Sequence, residues 1–192
     1  MANTPTFVTI VSGLPRSGTS MMMRMLEAGG LPVLVDNIRV ADQDNPRGYY
    51  EFEPVKQTKR DASWVPSAEG KVVKMVYRLL YDLPLDREYR VVFMRRNLDE
   101  VLRSQQKMLA KDNRVDNIDD AEMSAIYQAE LARFDAWLAK QPCFQSLDVT
   151  YNEMLADPAP IVQEIDAFLG GNLDQAAMCG VVDPSLYRNR SA

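Results

Sequence analysis

Histidine is absent from the whole chain of 192 residues. Its absence excludes a serine–histidine–aspartate triad, a histidine general base and histidine metal ligands. Any proton transfer therefore has to use Asp, Glu, Lys, Tyr or Cys side chains. Only two cysteines are present, Cys143 and Cys179, and they lack the spacing of metal ligands. We expect neither a disulfide framework nor a zinc site, and two ordinary thiols in a reducing cytoplasm are the favoured interpretation.

Long apolar runs are also missing, since no stretch approaches the length of a membrane span. The N-terminal segment lacks the basic start and apolar run of a secretory signal, so we expect a cytoplasmic protein that does not enter a membrane. Positive charge is not in excess, because the formal net charge is −5. This argues against a general nucleic-acid binder but leaves room for a local site for a small polyanion.

The residues that are present predict one globular domain over residues 1–192, with 46% apolar and 26% charged residues. Apolar, β-branched segments alternate with helical patterns: strands at 7–11, 33–35, 71–76, 89–94 and 144–149, and helices at 18–28, 53–62, 98–111, 120–140 and 158–169. This alternation predicts an α/β fold with three layers around a mainly parallel central sheet. Ligands bind such sheets at the carboxyl ends of the strands, where both arginine-rich segments of the chain fall.

Residues 13–20, Gly-Leu-Pro-Arg-Ser-Gly-Thr-Ser, connect the first predicted strand to the first predicted helix. In this position backbone N–H groups and a helix N-terminus can surround a phosphate. Gly13 and Gly18 have P-loop spacing, but Thr19 stands at the lysine position. Arg16 can supply the missing positive charge through a guanidinium fork that suits phosphate or sulfate. The segment therefore predicts an anion site that is not a conventional nucleoside triphosphatase; a turn that only links strand to helix is the structural alternative.

The core of this segment, Pro15-Arg-Ser-Gly-Thr-Ser20, resembles the 5′-phosphosulfate loop of sulfotransferases, P-[KR]-[ST]-G-[TS]-[TS]. A second element, Arg96-Asn-Leu-Asp-Glu-Val-Leu-Arg-Ser104, is similar to the family's R-D-P-x-D-x-x-x-S, whose arginine and serine hold a 3′-phosphate. Asn97 and Leu98 replace the usual Asp-Pro of the turn. A third, Tyr151 to Pro158 followed by Phe168-Leu-Gly170, resembles Y-E-D-L-x-x-D-P…F-L-G. Three elements in the family's order make the resemblance specific.

The resemblance implies a P-loop-containing fold and transfer of a sulfuryl group from 3′-phosphoadenosine 5′-phosphosulfate to a hydroxyl or amine, with no metal. Arg16, the amides of residues 17–20 and the hydroxyls of Ser17, Thr19 and Ser20 are then expected at the 5′-phosphosulfate. The acceptor, a small molecule, glycan or peptide, stays open, as do the oligomeric state and the roles of Arg95, Arg188 and Arg190. Compact members of the family are bacterial, so a bacterial source is implied.

The residue that takes the acceptor's proton has two candidates, both carboxylates. Counting from the phosphate loop places Asp36 where the tyrosine-directed members of the family carry a glutamate, and we place it first. Glu51 competes, since Asn45-Pro-Arg-Gly-Tyr-Tyr-Glu-Phe-Glu53 resembles the family's N-P-x-G-Y-x-E. An extended chain would put Tyr49, Glu51 and Glu53 on one face. Each carboxylate is alternatively a solvated loop charge, or a partner of Arg39 or Arg47.

Two other functions stay open. A nucleotide or small-molecule kinase with a degenerate P-loop would bind ATP with magnesium, but Thr19 argues against it. A non-catalytic module would bind the adenosine bisphosphate and transfer nothing. The methionine run at 21–25 is interpreted as core packing because some of these side chains must face the sheet.

Overall fold

The computed structural model describes residues 6–36, 38, 48–111 and 119–183. In these ranges four strands form one sheet: β1 (Val8–Gly13), β2 (Val72–Lys74), β3 (Tyr89–Arg95) and β4 (Phe144–Thr150). The strand order is β2-β1-β3-β4, and every neighbouring pair is parallel. The predicted α/β fold with a parallel central sheet is confirmed.

Helices connect the strands and cover both faces of the sheet. They are α1 (Thr19–Ala28), α2 (Leu98–Lys111), α3 (Asp120–Leu138), α4 (Tyr151–Ala156), α5 (Pro158–Leu169) and α6 (Gln175–Val181). Three short 3₁₀ helices add to them, at Glu53–Gln57, Val65–Ala68 and Tyr77–Asp82. Among the described residues, no helix combines the length and the apolar character that crossing a membrane requires.

Successive residues of the strands point to opposite faces and build two cores. Ile10 packs with α3 and the 3₁₀ helices on one face, while Val11 packs with α1, α5 and α6 on the other. Met22, Met23 and Met25 of α1 are fully buried in the second core. The interpretation of the methionine run as core packing is therefore confirmed.

Some element boundaries differ from the prediction. The helix predicted at 53–62 is only the 3₁₀ helix Glu53–Gln57, where Pro54 removes an N–H and the Thr58 hydroxyl donates to the Val55 carbonyl at 2.6 Å. The strand predicted at 33–35 is a single bridge between Val33 and Val72. The sequence analysis had also not placed helices α4 and α6, which are six and seven residues long.

The order of the strands indicates where a ligand is expected to bind. The chain moves from β1 to β2 on one side and then to β3 on the other side of β1. Open parallel sheets bind ligands at such a reversal, outside the carboxyl ends of the strands. Gly13 pairs with Met94 at this end of β1 and β3, so both arginine-rich segments begin at the reversal.

Candidate functional site

The phosphate loop, residues 13–20, begins where β1 and β3 approach each other closely. Gly13 has φ 147°, and a Cβ there would lie 2.7 Å from the Met94 carbonyl oxygen and 2.6 Å from Ser17 Oγ. Only glycine fits this position. Arg16 follows with φ 73° and Gly18 with φ 99°, and these left-handed residues turn the chain into α1.

Helix α1 starts without a side-chain cap because its N-cap residue is Gly18. A Cβ on Gly18 would lie 2.4 Å from the Tyr151 ring, so the loop packs directly on the first residue of α4. The N–H groups of Thr19 and Ser20 belong to the first turn, where the helix itself offers no acceptor. These N–H groups and the helix dipole give the loop a positive end that suits an anion.

A cavity of about 330 Å³ opens beside the phosphate loop. Among the described residues, five cationic side chains, one carboxylate and several hydroxyls line it: Arg16, Arg24, Lys56, Lys74, Arg96, Glu51, Thr19, Ser20, Ser104, Tyr49 and Tyr151. This local excess of positive charge contrasts with the formal net charge of −5 of the whole chain. The cavity is therefore suited to a polyanion, although the molecule as a whole is acidic.

Most of the residues predicted for the site line this cavity. They are Gly13, Pro15, Arg16, Gly18, Thr19, Ser20, Glu51, Arg96 and Ser104. Ser17 and Asp36 are not among them. The Ser17 side chain is buried against Gly13, and its Oγ has no hydrogen-bond partner among the described residues. The Ser17 N–H donates to the Leu14 carbonyl at 3.2 Å, so Ser17 stabilises the turn of the phosphate loop.

The arginine and serine of the second motif meet the arginine of the first. Arg16 Nε donates to Ser104 Oγ at 2.9 Å, and Arg96 Nη1 donates to the Arg16 carbonyl at 3.0 Å. These contacts bridge 88 and 80 residues of sequence. The fold thus assembles one cationic cluster from the ends of β1 and β3.

Arg96 is held from behind by a buried carboxylate. Its Nε donates to Glu100 Oε2 at 2.9 Å, and Asn152 Nδ2 donates to the other oxygen of Glu100 at 3.1 Å. The Glu100 side chain is fully buried, and the Arg96 guanidinium carbon lies 4.3 Å from the centre of the Tyr151 ring. The sequence analysis missed this role of Glu100, although an acid four residues after an arginine at a helix start is a recognisable pairing pattern.

Lys74 is a cation at the cavity that the sequence analysis also missed. It ends β2 in register with Val11 of β1, which places it beside the phosphate loop. Lys74 Nζ donates to the Tyr49 carbonyl and lies 3.4 Å from Ser20 Oγ, which itself donates to the Tyr49 carbonyl at 3.2 Å. A lysine that ends a strand adjacent to β1 was the signal that could have identified it.

The two candidate bases occupy different environments. Glu51 lines the cavity, and its Oε2 lies 3.5 Å from Lys56 Nζ. Tyr50 has φ 53°, so the stretch is not fully extended, and its hydroxyl turns away to Glu27 of α1. Tyr49 and Glu51 nevertheless both line the cavity, whereas Glu53 begins the 3₁₀ helix and pairs with Lys56.

The Asp36 carboxylate is occupied by the backbone. It accepts the Glu53 N–H at 2.6 Å and the Ile38 N–H at 3.0 Å. These two hydrogen bonds, that from Glu53 first, lower the pKa of Asp36 below 3.8. The Asp36 N–H in turn donates to the Glu51 carbonyl at 3.2 Å. The structure thus gives Asp36 a part in positioning the segment that carries Glu51.

Arg95 has a structural environment of its own. Its Nη2 lies 2.6 Å from Asp135 of α3 and its Nε 3.1 Å from Asp148 of β4, and it does not line the cavity. Arg39, Asn45, Pro46, Arg47, Arg188 and Arg190, which the sequence analysis had named, lie outside the described residues.

Comparison with known proteins agrees with this architecture. The model of the sulfotransferase family matches residues 87–175, a range that contains both the Arg96–Ser104 element and the Tyr151–Gly170 element. The chain is similar to sulfotransferases. None of the curated protein sequences compared with it is significantly similar.

Two solved structures show the same fold. The sulfotransferase domain of the Synechococcus PCC 7002 olefin synthase superposes with a TM-score of 0.56 at 15% identity, covering 99% of this chain and 90% of that domain. Retinol dehydratase, in complex with androsterone and the inactive cofactor PAP, gives a TM-score of 0.53 at 15% identity over 94% of this chain and 64% of that one. The resemblance inferred from the sequence is confirmed at the level of the fold.

Proposed function

We propose that the protein is a sulfotransferase, with residues 1–192 as one domain, that uses 3′-phosphoadenosine 5′-phosphosulfate as its donor. The observation that carries this proposal is the cavity itself, whose described lining has five cations and one carboxylate beside a phosphate loop in an acidic protein. A donor with two phosphates and a sulfate matches that excess of positive charge. Retinol dehydratase, which shares the fold, was solved with PAP.

The two ends of the donor have separate candidate residues. Arg16 and the N–H groups of Thr19 and Ser20 are proposed for the 5′-phosphosulfate. Arg96 and Ser104 are proposed for the 3′-phosphate, and the hydrogen bond from Arg16 to Ser104 joins the two groups. Thr19 in place of a P-loop lysine supports this donor over ATP with magnesium.

The bound donor supplies a sulfuryl group, whose bond to the 5′-phosphate oxygen breaks as a bond to the acceptor oxygen or nitrogen forms. Glu51 takes the acceptor's proton, because it lines the cavity and Asp36 does not. Lys74 and Ser20 lie together at the loop and stabilise the negative charge that grows on the leaving phosphate. A preorganised donor of this kind contributes about 3 kcal/mol to lowering the barrier.

Ligand-induced stabilisation tests the donor. Adenosine 3′,5′-bisphosphate at about a hundred times its Kd should stabilise the protein by roughly 3 kcal/mol, and ATP with magnesium should stabilise it much less. Arg16→Ala and Arg96→Ala should abolish the shift in melting temperature. Arg95→Ala is the matched control, since it removes a neighbouring arginine outside the cavity and should keep the shift. Equal stabilisation by ATP with magnesium would favour the kinase.

The base is tested separately. Glu51→Gln should retain bisphosphate binding and lose turnover, because the amide keeps the shape of the carboxylate but cannot take the proton of the acceptor. Asp36→Asn should lower turnover only in part, because it weakens the contacts around Glu51 but leaves the Glu51 carboxylate in place. If Asp36→Asn abolishes turnover while Glu51→Gln does not, the assignment of the base to Glu51 is wrong.

A further inference from the structure

The described lining of the cavity also includes apolar side chains. Seven of them are called the apolar wall: Leu14, Phe52, Val55, Met75, Val76, Leu79 and Met108. They come from the phosphate loop, the segment before and within the first 3₁₀ helix, the residues after β2, and α2. Three charged residues of the cavity lining are sequence neighbours of the wall: Lys74, and the pair Glu51 and Lys56, whose side chains lie 3.5 Å apart. These apolar side chains offer no hydrogen bonds or ion pairs to the phosphates and sulfate of the proposed donor.

Most of the apolar wall belongs to the core that packs α3 and the 3₁₀ helices against the sheet, at the place where this core borders the cavity. Met75 and Val55 are buried in that core, and Phe52 and Leu79 pack against it. Val76 is 41% exposed, although Val72 and Val73 just before it are fully buried. Apolar surface left open inside a cavity indicates a ligand with an apolar body.

The wall combines a rigid part with an adaptable part. Phe52 packs edge-on against Trp64, with ring centres 6.0 Å apart, and the Trp64 indole N–H donates to Thr58 Oγ1 at 3.2 Å. Met75 and Met108 supply flexible thioether side chains, which adjust to ligands of different outline. The wall is thus suited to a class of apolar molecules rather than to one fixed shape.

We propose that the acceptor is an uncharged, apolar molecule that presents one hydroxyl group, an alcohol or a phenol. This inference rests on the proposed function and names the class of acceptor that the same cavity would bind. The hydroxyl points to Glu51 and Lys74, and the apolar body lies on the wall. A sugar or a charged peptide binds poorly, because its other polar groups lose water against side chains that offer no hydrogen bonds.

The test compares two phenols of similar size, neutral para-propylphenol and anionic para-hydroxybenzoate, with glucose and a tyrosine peptide. Binding to the protein is measured by calorimetry with and without adenosine 3′,5′-bisphosphate, and kcat/KM is measured with the sulfate donor. We expect para-propylphenol to be favoured over each of the others by about tenfold or more in binding and in kcat/KM. Stronger binding or faster sulfation of glucose, the peptide or the anionic phenol would overturn the inference.

Val76→Asp places a charge on the wall at a position where the side chain is already exposed, so folding should be preserved. It should weaken para-propylphenol binding by about tenfold and leave stabilisation by the bisphosphate unchanged. Leu85→Asp is the control, since Leu85 is 60% exposed and lies outside the cavity. Equal phenol binding by the two variants would disprove the role of the wall. Failure of the bisphosphate to bind would instead refute the proposed function, and phenol binding to the free protein would still decide this inference.

Discussion

Glu100 shows how a single buried residue can determine the position of a cation that is proposed to bind a phosphate. Its carboxylate is fully buried and holds Arg96, while Asn152 occupies its second oxygen. A buried charge pair is stabilised by mutual attraction, but removal of one partner leaves the other charge uncompensated. The orientation of the Arg96 guanidinium toward the phosphate loop therefore depends on Glu100.

The substitution Glu100→Gln should lower the free energy of unfolding by about 3 kcal/mol or more, because Arg96 keeps its charge without the buried partner. It should also weaken the binding of adenosine 3′,5′-bisphosphate, whereas Glu100→Asp should restore part of the affinity. Denaturant unfolding and calorimetry measure the two effects. Glu122→Gln, on the exposed start of α3, is the control. Unchanged bisphosphate affinity in a folded Glu100→Gln protein would refute the positioning role.

Asp36 is connected by hydrogen bonds to Glu51 and Glu53, although none of the three residues belongs to a strand of the sheet. The Asp36 carboxylate accepts two backbone N–H groups, and its own N–H donates to the Glu51 carbonyl. Protonation of Asp36 should therefore weaken the hydrogen bond that its carboxylate accepts from Glu53, two residues after Glu51. The contacts of Asp36 beside Glu51 should therefore be sensitive to pH.

Acid should therefore weaken the hydrogen bonds that the Asp36 carboxylate accepts from Ile38 and Glu53. The pKa of Asp36 is lowered in the folded protein, so its carboxylate stabilises the fold at pH values above 3.8, and this contribution is lost as the pH falls toward the folded-state pKa. We expect Asp36→Asn to lower the melting temperature at neutral pH and to differ progressively less from the natural sequence below about pH 3.8. Asp86→Asn, at an exposed position, is the control. A difference that stays constant with pH would contradict this account.

The sequence predicted the elements whose patterns are local. Strands β1 and β3, helix α2 and the phosphate loop follow from apolar periodicity and from glycine spacing. Lys74 and Glu100 escaped because their roles depend on packing: β2 is only three residues long, and Glu100 is buried by contacts from α4. The preference for Asp36 over Glu51 followed from counting residues along the chain. The left-handed conformation of Tyr50 and the backbone partners of the Asp36 carboxylate are not visible in such a count.

At the scale of the whole molecule, the distribution of charge matters more than its total. The chain carries a formal net charge of −5, yet the described lining of the cavity has five cations and one carboxylate. The positive charges of the cavity are concentrated at the carboxyl ends of the strands. A small anion that fits the cavity can therefore be attracted there even though the whole molecule is acidic.

This arrangement predicts a strong dependence of bisphosphate binding on salt. Raising sodium chloride from about 50 to about 500 mM shortens the screening length severalfold, so affinity for adenosine 3′,5′-bisphosphate should fall by about tenfold or more. Binding of uncharged adenosine should hardly change. Arg24→Gln, inside the cavity, should flatten the dependence on salt, whereas Arg133→Gln on the exposed surface of α3 should not. Calorimetric titrations at several salt concentrations measure these slopes, and equal slopes for the two variants would mean that the total charge of the protein, and not the cavity, controls the attraction.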